Sequence, residues 1–296
     1  MSDIAVGSAT RTNISSLQRT QSLIDVTQTR LATGRRVNSA IDDAVAFFTA
    51  RNLNDRATDL TNIKSTIANG VGIVTTAVKA LESIEALVSQ MKALAQSAIS
   101  ATDSDSRAAL ASQFNELRSQ VDNLAEDASF DGVNLLKSST AAFTGGGDDL
   151  TVNFNERTEA SALNQVVIAG LANTEYQKIV HDAVVATGTA GDTTVWGQTG
   201  TAAVTAINAA IRGLDSALTT IRTSAQSFGN NASLLELRMD FTQSMISALA
   251  SGAALLVNAD LNEESANLLS LQTRQQLGTI SLSIAQRSEQ SIFRLF

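Results

Sequence analysis

The chain has 296 residues, enough for one large domain or two modest ones, with 44% hydrophobic residues, 4% aromatic, no cysteine and no proline. A formal net charge of -8 argues against nucleic acid or an acidic membrane as partner, since both need a basic face. The lack of cysteine excludes a disulfide framework and thiolate metal sites. Average usage puts about fifteen prolines in a chain of this length. Their absence points to long unkinked helices, because proline inside a helix costs about 3 kcal/mol.

In chain order, residues 1–30 hold no continuous apolar run, so neither a cleavable secretory signal nor a membrane-spanning helix is expected there. They carry instead a narrow stripe, Leu17, Ile24 and Leu31, with Gln21 and Gln28 weakening the other core position. The stretch "RLATGRRVNSAIDDAV" follows, with Arg30, Gly34, Arg35, Arg36, Asn38, Ser39, Asp42 and Asp43 in a chain only 17% charged. Gly34 suits the C-terminal stop of a first helix, and Arg35 and Arg36 lie close enough to favour its carbonyl end. If the next helix begins near Ser39, both Asp42 and Asp43 lie in its first turn, where the helix dipole favours them. Adjacent residues on a helix point about 100° apart, which does not make a carboxylate dyad. The stretch reads as a joint between two helical parts, or else as a solvated charged turn.

From Leu53, apolar residues recur every seventh position at Leu60, Ile67, Val74, Leu81, Val88 and Ala95, with a partner register at Ile63, Gly70, Ala77, Ile84, Met91 and Ala98. This predicts a helix of about 46 residues, roughly 70 Å long. A second series, Leu110, Phe114, Leu117, Val121, Leu124 and Ala128, is expected to be capped by Asp103 or Ser104. Between 130 and 202 the helical period is lost: "DLTVNFNE" alternates at Leu150, Val152 and Phe154, and "NQVVIAG" supplies a second β-branched run, together a β-hairpin. Residues 186–202 read as a surface loop holding the only tryptophan, Trp196, either a contact residue or a cover for the hairpin or a helix end. Helical alternation resumes at Val204, Ile207, Ile211, Leu214, Leu218, Ile221, Ala225 and Phe228, and continues less regularly past "SFGNN", where Gly229 threatens the helix. The chain closes on a second narrow stripe, Leu261, Leu268, Leu271, Leu282, Ala285 and Ile292, with weak positions at Gln275 and Gly278.

Little of this suits catalysis. His181 is the only histidine, so neither a Ser-His-Asp arrangement nor a His-based metal site has a second candidate. "TGGGDD" lacks the Gly-Lys-Ser/Thr continuation of a phosphate loop and reads as a turn. No enzyme activity, cofactor or metal is expected.

The stretch 30–45 resembles the N-terminal signature of bacterial flagellins, and the resemblance extends through "NLNDRATDLTNIKSTIANGVGIVTTAVKALESIEALV", "FDGVNLL" and the C-terminal "DLNEESANLLSLQTRQQLGTISLSIAQRSEQSIFRLF". It implies a mainly α fold: residues 1–46 with 254–296 as an inner coiled coil, 47–130 with 203–253 as a helical bundle, and 131–202 as a β-hairpin with surface loops. It also implies a helical homopolymer, the extracellular flagellar filament, reached by type III export. The implied partners are the chain itself, an export chaperone, a filament cap and hook-junction proteins, with no nucleic acid and no membrane insertion. The weak terminal stripes cannot offset chain entropy alone, at about 1 to 2 kcal/mol per residue. The ends are therefore expected to order on assembly, with Leu17, Ile24, Leu31, Leu261, Leu268, Leu271, Leu282, Ile292, Phe293 and Phe296 as the seam. Where flagellins sensed by the vertebrate Toll-like receptor carry a charged stretch, this chain has "SQMKALAQSA", with Ser89, Met91 and Lys92 at the charged places, which puts receptor recognition in doubt. A hook-filament junction protein is the alternative within the resemblance. A chemoreceptor-like signalling bundle is the alternative outside it, and predicts a helical hairpin turning near residue 150.

Overall fold

The computed structural model describes residues 8–137, 147–155, 164–172, 175, 179, 193–197 and 200–293. In chain order these form α1 (Ser8–Thr33), α2 (Ala44–Ser100), α3 (Ser104–Asp127), β1 (Leu150–Asn153), β2 (Gln165–Ile168), α4 (Thr193–Trp196), α5 (Thr201–Val257) and α6 (Leu261–Phe293). The chain divides into two compact units, Met1–Thr58 with Ser247–Phe296, and Asp59–Ile246.

With no proline to interrupt them, α2 and α5 each run for 57 residues, about 85 Å. Gly229, expected to threaten α5, does not break it: a Cβ there would meet nothing within 4 Å. The residue costs the helix only its propensity, about 1 kcal/mol relative to Ala, while Phe228 and Leu235 on either side are buried.

Within Asp59–Ile246, the heptad residues of α2 (Ile67, Val74, Leu81, Val88), Phe114 and Val121 of α3, and Ile207, Leu214, Ile221 and Phe228 of α5 form one buried core. Polar bridges tie α2 to α5 along their length: Lys64 to Gln243, Glu85 to Arg222 and Lys92 to Asp215. Each step along α2 is matched by an equal step back along α5, so the two helices are antiparallel in constant register.

Two glycines of α2 serve as notches. A Cβ on Gly70 would sit 3.0 Å from Val152 Cγ2 and 3.5 Å from Leu235 Cδ1, and one on Gly72 would sit 3.0 Å from the Phe130 ring. Gly70 thus admits the hairpin, in which β1 and β2 pair antiparallel with Leu150 opposite Ile168 and Val152 opposite Val166. Leu150 and Val152 are buried and Thr151 and Asn153 exposed, the expected alternation. The half-buried Phe154 lies under Arg238, whose guanidinium carbon is 5.1 Å from the ring centroid.

"FDGVNLL" has a local physical basis. Asp131 and Gly132 both take positive φ, 51° and 78°, and Phe130 and Val133 exchange backbone hydrogen bonds at 3.0 Å each, which is a two-residue Asp-Gly hairpin turn. The buried Asn134 then closes the end of α3: its Nδ2 donates to the carbonyls of Ala125 and Glu126, and its Oδ1 accepts from the amides of Leu136 and Lys137. At the other end of α3, Asp103 is the N-cap and accepts from the Ser106 amide at 3.0 Å.

Trp196 ends the short α4 and is fully buried, its ring centroid 5.2 Å from that of Phe114. It covers the middle of α3 rather than standing free as a contact residue. Its Nε1 has no hydrogen-bond partner among the described residues. His181 lies outside the described residues.

Candidate assembly site

Gly34, at φ 68°, takes the left-handed conformation that ends α1. Its carbonyl accepts the Ala259 amide at 3.0 Å, and the amides of Arg36 and Val37 donate to the Val257 carbonyl at 2.7 and 3.2 Å. Arg35 and Asn258 form an antiparallel bridge. Arg36 Nη2 donates to the Leu256 carbonyl at 3.1 Å. The last carbonyls of a helix lack intrahelical partners and carry its negative end, so this segment closes α5. That corrects the expectation for Arg36, whose guanidinium serves the C-terminus of α5, not that of α1.

The next helix also starts later than expected. It begins at Ala44 rather than near Ser39, so Asp42 and Asp43 precede its first turn. Asp43 Oδ1 accepts the Ala46 amide at 3.0 Å, the geometry of an N-cap. Asp42 turns the other way. Its Oδ2 accepts the amides of Asn38 and Ser39 at 3.0 and 2.9 Å and the Ser39 hydroxyl at 3.1 Å. The Ser39 and Asn38 amides, then the Ser39 hydroxyl and the nearby Arg30 charge, hold the Asp42 carboxyl below its ordinary pKa. Asn38 Nδ2 donates to the Arg35 carbonyl at 3.2 Å. The acids remain unsuited to a dyad; they are the fasteners of a tight turn.

Arg30 pairs with the buried Glu264 of α6 at 3.0 Å, and Asp260 caps α6 by accepting the Asn262 amide at 2.8 Å. A cleft of about 340 Å³ lies between Asp25, Val26 and Thr29 of α1 and the turn at Asn38, Ser39 and Asp42, with Arg30 and Arg36 also on its wall.

α1 and α6 pack antiparallel, with partners at Arg30 and Glu264, Gln21 and Gln275 (2.7 Å), and Leu17 and Gly278. One weak heptad position of each helix meets the other, Gln21 against Gln275, while Gly278 faces the stripe residue Leu17. The two glutamines share a hydrogen bond, and a Cβ on Gly278 would come within 2.6 Å of Leu17 Cδ2. The resemblance implied that the two ends pair; which glutamine meets which was not readable from the chain. Ile24 is buried, and Leu17, Leu31, Leu268, Leu271 and Leu282 are half-buried, whereas Leu261 is exposed. Ile292 and Phe293 fall in the last turn of α6, and Phe296 lies outside the described residues. Of the stripe residues whose side chains are described, all but Leu261 are at least partly withdrawn from solvent within this chain. Besides Leu261, the exposed large apolar side chains of the same helices are Ile14, Leu23 and Val26 on α1, and Leu269, Leu277, Ile280 and Ile284 on α6.

Two family models match, the bacterial flagellin N-terminal helical region over residues 4–141 and the bacterial flagellin C-terminal helical region over residues 211–296. The chain belongs to the bacterial flagellin family. It is 31% identical to flagellin FljK of Caulobacter vibrioides, over 96% of this chain and 94% of that one. It is 27% identical to a flagellin of Brucella melitensis, over 100% and 99%. Among solved structures, one from Vibrio parahaemolyticus described as a flagellar hook-associated protein shares the fold, with a TM-score of 0.58 and 12% identity over 73% of this chain and 99% of that one. A flagellin is a structural protein that polymerises with its own copies into the extracellular flagellar filament, and this chain is such a filament subunit, a short form without a large outer domain. Residue 150, where a chemoreceptor-like bundle is expected to turn its helical hairpin, lies instead in β1. Among the described residues no helix is long and apolar enough to cross a membrane, and no group of three or more His, Asp or Glu is placed to hold a metal.

Proposed function

We propose that copies of this flagellin meet first through the α1–α6 pair. The observation that carries this is the split between two apolar rows. Ile24 is buried and Leu17, Leu31, Leu268, Leu271 and Leu282 are half-buried, yet Leu269, Leu277, Ile280 and Ile284 remain exposed, spread over about 80° of the helix at 3.6 residues per turn. Leu23 and Val26 are exposed on the facing helix. Two helices that leave this much apolar surface in water gain little from each other against the entropy of ordering them. Neighbouring copies supply the missing burial, so the termini order on assembly. Contacts between unlike faces of identical chains propagate as an open helix. In this reading residues 1–46 with 254–296 are the inner coiled coil, 47–130 with 203–253 the bundle, and 131–202 the outer hairpin and loops. Arg30, Gly34, Arg35, Arg36, Asn38, Ser39, Asp42 and Asp43 are the fixed joint of the first of these.

The family adds an export chaperone, a filament cap and hook-junction proteins as partners. Recognition by the vertebrate Toll-like receptor is not expected, because Met91 is buried and Lys92 is engaged by Asp215.

Seeded polymerisation followed by electron microscopy tests the reading. The full chain should extend short seeds into long filaments. The double variant Leu277→Glu, Ile284→Glu, at exposed positions and with unchanged helicity, should not. Growth of that variant at the normal rate would remove the α6 row from the interface, and short rings from the full chain would favour a junction protein.

A further inference from the structure

The most exposed large apolar side chains of the described residues are not in the α1–α6 rows. Ile41 is 96% exposed, Leu255 84% and Val45 79%; Phe48, beside Val45, is 54% exposed, less than the α6 row residues Leu269 and Ile284. Val45 and Phe48 are three residues apart on one face of α2, and Ile41 is carried on the turn just before it. Among the described residues the ring of Phe48 meets the edge of Phe47, with centroids 5.5 Å apart. This ridge is held rigidly. Three hydrogen bonds to one oxygen of Asp42 fix the turn behind Ile41, and the Asp43 cap fixes the helix start before Val45.

We propose that the ridge of Ile41, Val45 and Phe48 is a second self-contact, seated against another copy of the chain in the filament. The inference rests on the filament reading and extends it beyond the terminal helices. Continuity identifies the occupant. The exposed α1 row runs from Leu23 to Val26, Val26 lines the cleft, and the opposite wall of that cleft is the turn that bears Ile41. A copy docked on the α1–α6 rows therefore meets the ridge at the row's end. Water-exposed apolar groups held on a fixed turn gain from burial without a further ordering cost.

The chain has no cysteine, so single-cysteine variants report burial directly. Ile41→Cys, Val45→Cys and Phe48→Cys are labelled with a small maleimide, each as monomer and as filaments seeded from purified protein. A variant that grows poorly is copolymerised as a minor fraction with unmodified chain. All three positions should label fast in the monomer and at least tenfold more slowly in the filament. With purified chain alone, the only available occupant is a second copy. Labelling of Ile41→Cys and Val45→Cys in good filaments at the monomer rate overturns the ridge contact and leaves the filament reading standing. If no filaments grow from the unmodified chain, the filament reading fails and this inference falls with it.

Discussion

The guanidinium of Arg36 donates to the carbonyl of Leu256, 220 residues further along the chain. This bond brings a positive charge to the end of α5, within a clasp formed otherwise by backbone groups. Arg36→Ala should destabilise the clasp by about 1 kcal/mol, since an exposed helix-end charge and one hydrogen bond are each modest. The Ala259 amide, which donates to Gly34, should then exchange with solvent faster. Arg36→Lys should restore part of the protection through its charge. Equal exchange in all three proteins would mean that the backbone bonds alone hold the clasp.

Asp42 makes the turn at 38–42 sensitive to acid. Its pKa is lowered from an ordinary value of 3.8 by bonds that exist only in the folded turn. A depressed carboxylate contributes its full stabilisation above the ordinary value and loses it as pH falls through the lowered one. Protection of the Asn38 and Ser39 amides should therefore hold at pH 5 and above and decline below about 3.8. Asp42→Asn, which cannot ionise, should flatten that pH profile. A profile of the same shape in Asp42→Asn would assign the acid response to other groups.

The glycines of α2 and α5 should respond with opposite sign to the same change. Gly229→Ala places a methyl in open space and should raise stability by about 0.5 to 1 kcal/mol through helix propensity. Gly70→Ala presses a methyl on Val152, which is fully buried and stiff in β1. That substitution should cost about 1 to 2 kcal/mol net of the propensity gain. Urea midpoints of the two variants settle the comparison, and a stabilised Gly70→Ala would show that the hairpin yields.

Trp196 is a single fluorescence reporter on the packing of α3. Buried against Phe114, it should emit at short wavelength and shift to the red on unfolding. Phe114→Ala should cost about 3 to 5 kcal/mol and shift the native emission as the indole gains access to water. A native spectrum already typical of water-exposed indole would contradict this packing.

The long helices were legible because one fact of composition and one of spacing agree: no proline, and heptads from Leu53 to Ala98 and from Val204 to Phe228. The hairpin was legible from alternation around Val152, and the segment from Arg30 to Asp43 was legible as a break between helices. Direction was not. Whether Asp42 bonds forward into α2 or backward to Ser39 depends on a turn that local propensity does not choose, and that decided where α2 begins. The partner of Arg36 was invisible because it lies on another helix end. Trp196, expected to stand as a contact residue or to cover the hairpin or a helix end, covers Phe114 of α3, a partner that only the tertiary structure supplies. In the terminal pair, the stripe residues Ile24, Leu17 and Leu271 are at least half-buried within the chain while Leu261 is exposed; the exposed row of α6 fell between the heptad positions and carried no period of its own.

The bridges between α2 and α5 also guard against an error that apolar packing cannot detect. A heptad seam looks the same after a slip of seven residues, so Ile67, Val74 and their neighbours alone permit more than one alignment. Lys92, Glu85, Asp215 and Arg222 lift that degeneracy. Slipping α5 by one heptad in one direction sets Lys92 against Arg222, and in the other sets Glu85 against Asp215. Each misalignment confronts like charges, and only the native one pairs both. These surface pairs are individually weak, within about 1 kcal/mol, but their difference between alignments is larger than their worth in any one. Their principal effect is to give the stretches of α2 and α5 within Asp59–Ile246 a single way to lie together, so that every copy entering a polymer presents the same surface from that unit.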